Sequence, residues 1–390
     1  MADPKLRFKY DNGNAYPAWR ECILDDILTE RNESHVITED APQLSFTIEQ
    51  GVIYPEDKKT NKRDFLMKDK DNKKFLLTEY NDIIYNPANL KFGAIHRNTL
   101  GRGVVSPIYA IFYTDQDPAF IEGIVTNPKF IKSSLKYLEG TVIKLMTLKP
   151  RDFIKMKVWI PCLEEQQKIA GFLLSIDEVI AASEQEVTNL ETQKKAVMKK
   201  IFSQEVRFKR EDGTDFSKWD VKFLDEVVVF LDGMRKPIEA RDRVAGSYPY
   251  YGASGITDYV EDYIFDEDLI LLSEDGANIL DRNYRVCFMA RGKYWVNNHA
   301  HVLRANKDCV NEYICEYLES LDYSRMNSGS AQPKLNQQTC RKIPVMKPCL
   351  EEQRLIANFL SDFDEAIAAA KKELELWKEL KKGLLQQMFV

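Results

Sequence analysis

The 390-residue chain has little glycine or proline, 17 and 15 residues respectively, which excludes a collagen-like or low-complexity polypeptide. It has four histidines and seven cysteines (22, 162, 287, 309, 315, 340 and 349), an odd number with no Cys-x-x-Cys pair, so reduced thiols are expected rather than a zinc or disulfide framework. His299 and His301 share one face of a strand at i, i+2, but no third ligand type stands near them. They are read as hydrogen-bonding or contact side chains. No run approaches the roughly 18 uncharged apolar residues of a membrane span, and Met1 to Lys5 has no apolar stretch, so a soluble, cytoplasmic chain is expected. Cofactor motifs are missing too. There is no Gly-x-Gly-x-x-Gly after a strand, no Gly-Lys-Ser/Thr phosphate loop and no Asn/Asp-Pro-Pro-aromatic stretch. Asn86-Pro87-Ala88-Asn89 comes nearest to the last and lacks the second proline and the aromatic. The acidic Asp266-Glu267-Asp268 reads as a solvated turn, not a magnesium site.

What is present is 44% hydrophobic and 30% charged residues, enough to build two or three cores at this length. The net charge of −6 is uneven: +2 over residues 1–162, −3 over 163–206, −3 over 207–349 and −2 over 350–390. Residues 58–74 carry eight bases and three acids, and 91–102 carry three bases and no acid, so basic surfaces survive the acidic total.

The chain repeats itself. Pro161-Cys162-Leu163-Glu164-Glu165-Gln166 recurs as Pro348-Cys349-Leu350-Glu351-Glu352-Gln353, and the match runs on through Ile180-Ala181-Ala182 and Ile367-Ala368-Ala369. A second match pairs Arg7-Phe8-Lys9, Gly13, Trp19 and Leu24-Asp25 with Arg207-Phe208-Lys209, Gly213, Trp219 and Leu224-Asp225. This is a tandem duplication.

The repeated segments carry a 4-3 apolar spacing, which predicts two long helices. The first seam is Ile169, Leu173, Ile176, Ile180, Ser183, Val187, Leu190, Lys194, Val197 and Ile201. The second is Ile356, Leu360, Phe363, Ile367, Ala370, Leu374, Trp377, Lys381, Leu384 and Met388. Glutamates in the first turns suit the helix dipole, and each seam needs a partner. The expected solution is an antiparallel pair related by a pseudo-twofold axis, a spacer with one variable block at either end. Lys194 and Lys381 are expected to snorkel to water. The variable blocks alternate short β-like runs (Asp82 to Tyr85, Tyr109 to Phe112, Asp268 to Leu272, His301 to Leu303) with turn residues, and shorter helices are expected near 118–138 and 310–325. The fold class is α/β, with mixed α+β domains and two long antiparallel coiled-coil helices. The expected bounds are 1–159 and 206–345 for the domains and 160–205 and 346–390 for the helices.

These residues resemble the DNA-specificity (S) subunits of type I restriction–modification systems. The resemblance is carried by the starts Tyr16-Pro17-Ala18-Trp19 and Phe216-Ser217-Lys218-Trp219 and by the Pro-x-x-Glu-x-Gln helix openings. The second block adds Tyr248-Pro249-Tyr250-Tyr251-Gly252-Ala253-Ser254-Gly255, Glu274-Asp275-Gly276-Ala277-Asn278 and Gly329-Ser330-Ala331-Gln332-Pro333-Lys334-Leu335-Asn336. The first block departs, offering Tyr85-Asn86-Pro87-Ala88-Asn89 and Lys91-Phe92-Gly93-Ala94-Ile95, as if it reads a different half-site. The resemblance implies a non-catalytic chain with two target-recognition domains, each reading half of a split site in double-stranded DNA. It implies two methyltransferase subunits docked on the helices and restriction subunits in the full complex, with S-adenosylmethionine, ATP and magnesium serving those partners and no cofactor in this chain. The alternative is a DNA methyltransferase or endonuclease acting by itself, which leaves no residues for a catalytic domain.

Arg and Lys pair with guanine, Asn and Gln with adenine, and basic side chains with phosphate. In the second block the DNA-contact candidates are Tyr250, Tyr251, Ser254, Asn278, Arg282, Arg285, Asn297, Asn298, Gln332 and Lys334. In the first they are Lys58, Lys59, Lys62, Arg63, Lys91, Arg97, Asn98 and Arg102.

Overall fold

A computed structural model describes residues 4–58, 74–139, 146–327, 329 and 332–390. The chain forms two compact units, residues 1–182 with 373–390 and residues 183–372. Each unit takes half of both long helices, a division that cuts across the four segments expected from the sequence.

The first unit is organised around a four-stranded antiparallel sheet in the order Thr29–Glu30, Ala110–Tyr113, Ile83–Tyr85, Ile95–Arg97. Its central strand is buried on both faces, which is why Ile83, Ile84 and Tyr85 follow one another without a polar interruption. The helix Pro118–Val125 begins where Asp117 accepts the N–H groups of Ala119 and Phe120, and it buries Phe120, Ile121, Ile124 and Val125. Asn127-Pro128 ends it and starts Pro128–Ser134, because proline restricts the residue before it and has no N–H to donate.

The second unit has the same kind of sheet, Val228–Phe230, Ala300–Ala305, Leu269–Ser273, Cys287–Ala290, with the helix Asn311–Ser320. It adds a second sheet, Gly255–Val260, Ala245–Gly252, Lys293–Val296, Phe265–Asp266. In both units a two-stranded ribbon precedes the long helix: Arg20–Ile23 with Lys157–Ile160, and Asp220–Phe223 with Pro344–Lys347.

The repeated motifs have a packing explanation. Arg7 donates through Nε and Nη2 to buried Glu165 at 3.1 and 2.7 Å, and Arg207 grips buried Glu352 in the same way at 3.1 and 2.8 Å. Gln166 Nε2 donates to the Pro161 carbonyl at 3.1 Å while its Oε1 accepts the Asp117 N–H at 3.2 Å. Gln353 repeats this with Pro348 at 2.9 Å and the Val310 N–H at 3.0 Å. The Pro-Cys-Leu-Glu-Glu-Gln sequence thus locks the start of each long helix to the short helix of its own unit.

The long helices run Leu163–Phe202 and Leu350–Met388. Ile169, Leu173, Ile176, Val187, Lys194 and Ile201 are the buried members of the first seam, and Ile356, Leu360, Ile367, Leu374 and Met388 of the second. Ion pairs fix the direction. Asp177 meets Lys381 in the first unit, while Glu191 meets Lys371 at 2.7 Å and Lys194 meets Asp364 at 2.6 Å in the second, so rising numbers on one helix face falling numbers on the other. Lys194 does not snorkel as expected: it is 6% exposed and also lies 3.0 Å from Glu316, because carboxylates meet it inside the unit.

Each core is completed by both helices. The first contains Ile169, Ala170 and Leu173 from one helix with Met388 and Phe389 from the end of the other; the second contains Ile356, Ala357 and Leu360 with Met198 and Ile201. Phe389 packs 5.4 Å from Phe120, and a Cβ on Gly123 would come within 2.6 Å of its ring and have to displace it. Among the described residues no helix is long and apolar enough to cross a membrane.

Candidate nucleic-acid interface

In the second unit, four loops distant in sequence are laced together by backbone hydrogen bonds. Glu274 N–H donates to His299 O at 2.8 Å, Gly276 N–H to Pro333 O at 3.0 Å, Leu335 N–H to Glu274 O at 2.7 Å and Asn297 N–H to Tyr251 O at 3.1 Å. The Ser273 hydroxyl reaches the Ala253 carbonyl. The tyrosine-rich, Glu-Asp-Gly and Gln-Pro-Lys-Leu-Asn stretches singled out by sequence therefore meet at one place, joined by the Asn297–His299 turn. Ser330 and Ala331 lie outside the described residues.

Ser254, Asn298, His299, Gln332 and Lys334 are exposed on this cluster. Asn297 is buried, and its Oδ1 accepts the His299 N–H at 2.7 Å, shaping the turn rather than facing outward. Arg235 donates to Glu274 at 2.8 Å and to the Ala300 carbonyl at 2.7 Å, and Lys334 lies 3.4 Å from the same glutamate. His299 Nδ1 sits 2.8 Å from Asp275. Beneath them His301, 1% exposed, meets Asp232 at 2.7 Å and the Leu335 carbonyl at 2.8 Å. Burial by itself would lower the pKa of His301, but the bond to Asp232, with Cys340 beside the ring, outweighs burial and pushes it up to about 10. Asp232, also resisted by burial, is held below the usual carboxylate range by the same contact.

The other candidates of the second block serve packing. Tyr250 is 1% exposed, accepts the Ile238 N–H at 3.0 Å and lies under Arg243, which removes it from any outer surface. Tyr251 packs edge-on against Tyr294 at 5.5 Å. Asn278 exchanges bonds with the Tyr284 backbone at 2.8 and 3.1 Å. Arg282 pairs with Glu319 at 2.9 Å, and Arg285 with Glu316 and with Asp364 of the second long helix at 3.2 Å. Their charges are neutralised from remote segments, so these arginines do not join the loop cluster.

In the first unit most described candidates are likewise engaged. Arg97 donates to Glu122 at 3.0 Å and to Asn81 at 2.8 Å. Asn98 is fully buried: its amide donates to Thr78, Glu79 and Gly101 at 3.0, 2.9 and 2.7 Å, and its oxygen accepts the N–H groups of Leu100 and Gly101. Arg102 lies between Glu79 and Asp40. Those three surround one turn, whereas Lys91 caps the Met146 carbonyl at 3.2 Å and lies 5.4 Å over exposed Phe92, and Lys58 closes the Pro55–Asp57 turn. Lys59, Lys62 and Arg63 lie outside the described residues.

Arg235 and the Asp232–His301 pair were not among the sequence candidates, and no local motif marks them, since the bonds Arg235–Glu274, Asp232–His301 and Asp232–Gln337 span 39 to 105 positions. Among the described residues no group of three His, Cys, Asp or Glu could hold a metal.

Residues 217–376 match the model of the type I restriction modification DNA specificity domain. A putative type I restriction enzyme specificity subunit of Haemophilus influenzae is 36% identical over 144 residues, 37% of each chain. A type I restriction enzyme specificity subunit of Methanocaldococcus jannaschii is 25% identical over 201 residues, 48% of this chain and 46% of that one. The matched stretch is thus less than half the length of either relative. Among solved structures, the S subunit of a type I restriction–modification system from M. genitalium superposes with a TM-score of 0.62 at 16% identity, covering 100% of this chain and 99% of that one. Residues 217–376 thus carry the type I restriction modification DNA specificity domain, and the chain as a whole shares the fold of that S subunit.

Proposed function

We propose that this chain is the non-catalytic DNA-specificity subunit of a type I restriction–modification complex, in which each recognition block reads one half of a bipartite site in double-stranded DNA. The helix pair is the spacer between the half-sites and the docking surface for two methyltransferase subunits; S-adenosylmethionine, ATP and magnesium belong to those and to the restriction subunits. The observation that carries this reading is the convergence of four loops at one exposed place in the second unit, where amide, hydroxyl, imidazole and ammonium groups face outward from a rigid sheet. These are the side chains that read base edges and phosphates, held on the kind of scaffold that recognition requires.

The test is a block exchange. Residues 206–345 are replaced by the corresponding block of another specificity subunit, the complex is assembled with its methyltransferase subunits, and methylated adenines are mapped. One half of the modified sequence should change and the other should stay. A change in both halves, or methylation by this chain without a partner, refutes the proposal.

A further inference from the structure

The His301 ring has acceptors on both sides. Nδ1 faces Asp232 Oδ2 at 2.7 Å, and Nε2 faces the Leu335 carbonyl at 2.8 Å. A carbonyl cannot donate. Asp232 already receives the Val302 N–H at 2.9 Å and the Gln337 amide at 2.7 Å, so it is an acceptor throughout. Both ring nitrogens must therefore carry protons, which makes His301 a buried cation neutralised by Asp232.

The ligand of that cation is a backbone atom of the surface loop. Leu335 is fully buried, its carbonyl is held by His301 and its N–H by Glu274, while Gln332 and Lys334 beside it are exposed. On the far side Asn336 caps the helix Gln337–Arg341. The strand that takes the same place in the first unit's sheet, Ala110–Tyr113, is Ala-Ile-Phe-Tyr and carries no such group. We infer that His301, clamped by Asp232, is a positioning residue that sets how the 332–336 loop presents itself and thereby determines which sequence the second recognition block reads, without itself touching DNA. This rests on the specificity reading above.

The test uses the full chain, assembled with its methyltransferase subunits, and a pool of randomised duplex DNA, comparing the parent with His301→Gln and Asp232→Asn. The parent should enrich a two-part sequence. Both variants should keep the part read by the first block and lose discrimination at the other by about tenfold or more, the effect of losing a charge-assisted bond. Hydrogen exchange at the Leu335 amide should rise in the variants by a similar factor, with no DNA present. Unchanged discrimination at both parts, or equal loss at both in folded variants, overturns the inference. Should the variants not fold, the parent decides: its ring 15N resonances must show His301 doubly protonated at pH 8, and a neutral ring there overturns the inference. A parent that enriches no sequence overturns the specificity reading and the DNA role inferred from it, while faster exchange at Leu335 would still establish the pin.

Discussion

Lys194 meets Asp364 at 2.6 Å within the second unit, and the duplication places Lys381 against Asp177 in the first. The two pairs are equivalent in sequence and unequal in setting. The Lys194 side chain is 8% exposed and has Glu316, 9% exposed, as a second partner at 3.0 Å, whereas Lys381 is 30% exposed and Asp177 45%. Lys194→Met removes a buried cation from between Glu316 and Asp364, leaving Arg285 as their remaining partner, and should cost about 1.5–3 kcal/mol. Lys381→Met breaks a solvated pair and should cost under about 1 kcal/mol. Thermal unfolding of the two variants measures the difference, and equal losses would contradict this account of the burial.

The glutamines that open the helices make a parallel prediction. Gln353→Ala leaves the Val310 N–H and the Pro348 carbonyl without their partner, and Gln166→Ala does the same to Asp117 and Pro161. Each should destabilise its own unit by about 1–3 kcal/mol. Hydrogen exchange should show the loosening at Asn311–Ser320 for the first variant and at Pro118–Val125 for the second. A surface role for these glutamines predicts no change at either helix.

The buried imidazolium gives a pH dependence of defined sign. The pKa of His301 is raised from its usual 6.5 to about 10 in the folded chain. Its stabilisation is therefore complete below about pH 6.5 and is lost as the pH rises through about 10. Asp232, Glu274 and Arg235 are the charged groups that face it, with the Cys340 thiol beside the ring. Melting temperatures between pH 6 and 10 should fall more steeply for the parent than for His301→Gln. Parallel profiles would show that the ring is not a cation in the folded state.

On the proposed recognition role, salt separates the arginines and lysines that would meet DNA from those that hold the fold. Lys334→Ala, on the exposed loop cluster, should weaken binding and reduce the slope of log K against log salt by about one. Arg285→Ala should leave that slope unchanged and lower stability instead, because its partners are Glu316 and Asp364. A reduced slope for Arg285→Ala would return it to the interface.

The architecture was legible because it is written twice and periodically. The Pro-Cys-Leu-Glu-Glu-Gln repeat and the 4-3 spacing are local signals, and the structure uses both as local devices: helix locks and a buried stripe. Individual contact residues were not legible in the same way. Arg285 and Arg97 look like free cations along the chain, yet their carboxylates come from Glu316, Asp364 and Glu122, which no spacing rule connects to them. Asn98 carries adenine-reading chemistry but spends all of it on its own turn. The pairing of distant side chains is decided by tertiary structure, and so is their availability to a ligand.

Because each core borrows the end of the other helix, the order of synthesis on the ribosome matters. Residues 183–372 are contiguous, so the second unit has all its members once the chain has passed Lys372. The first unit, although begun earlier, still lacks Leu384, Leu385, Met388 and Phe389, and Phe120 lacks the Phe389 ring until they are made. The half translated first is thus the half whose core is completed last, and until residues 384–389 have been made its apolar face stays uncovered.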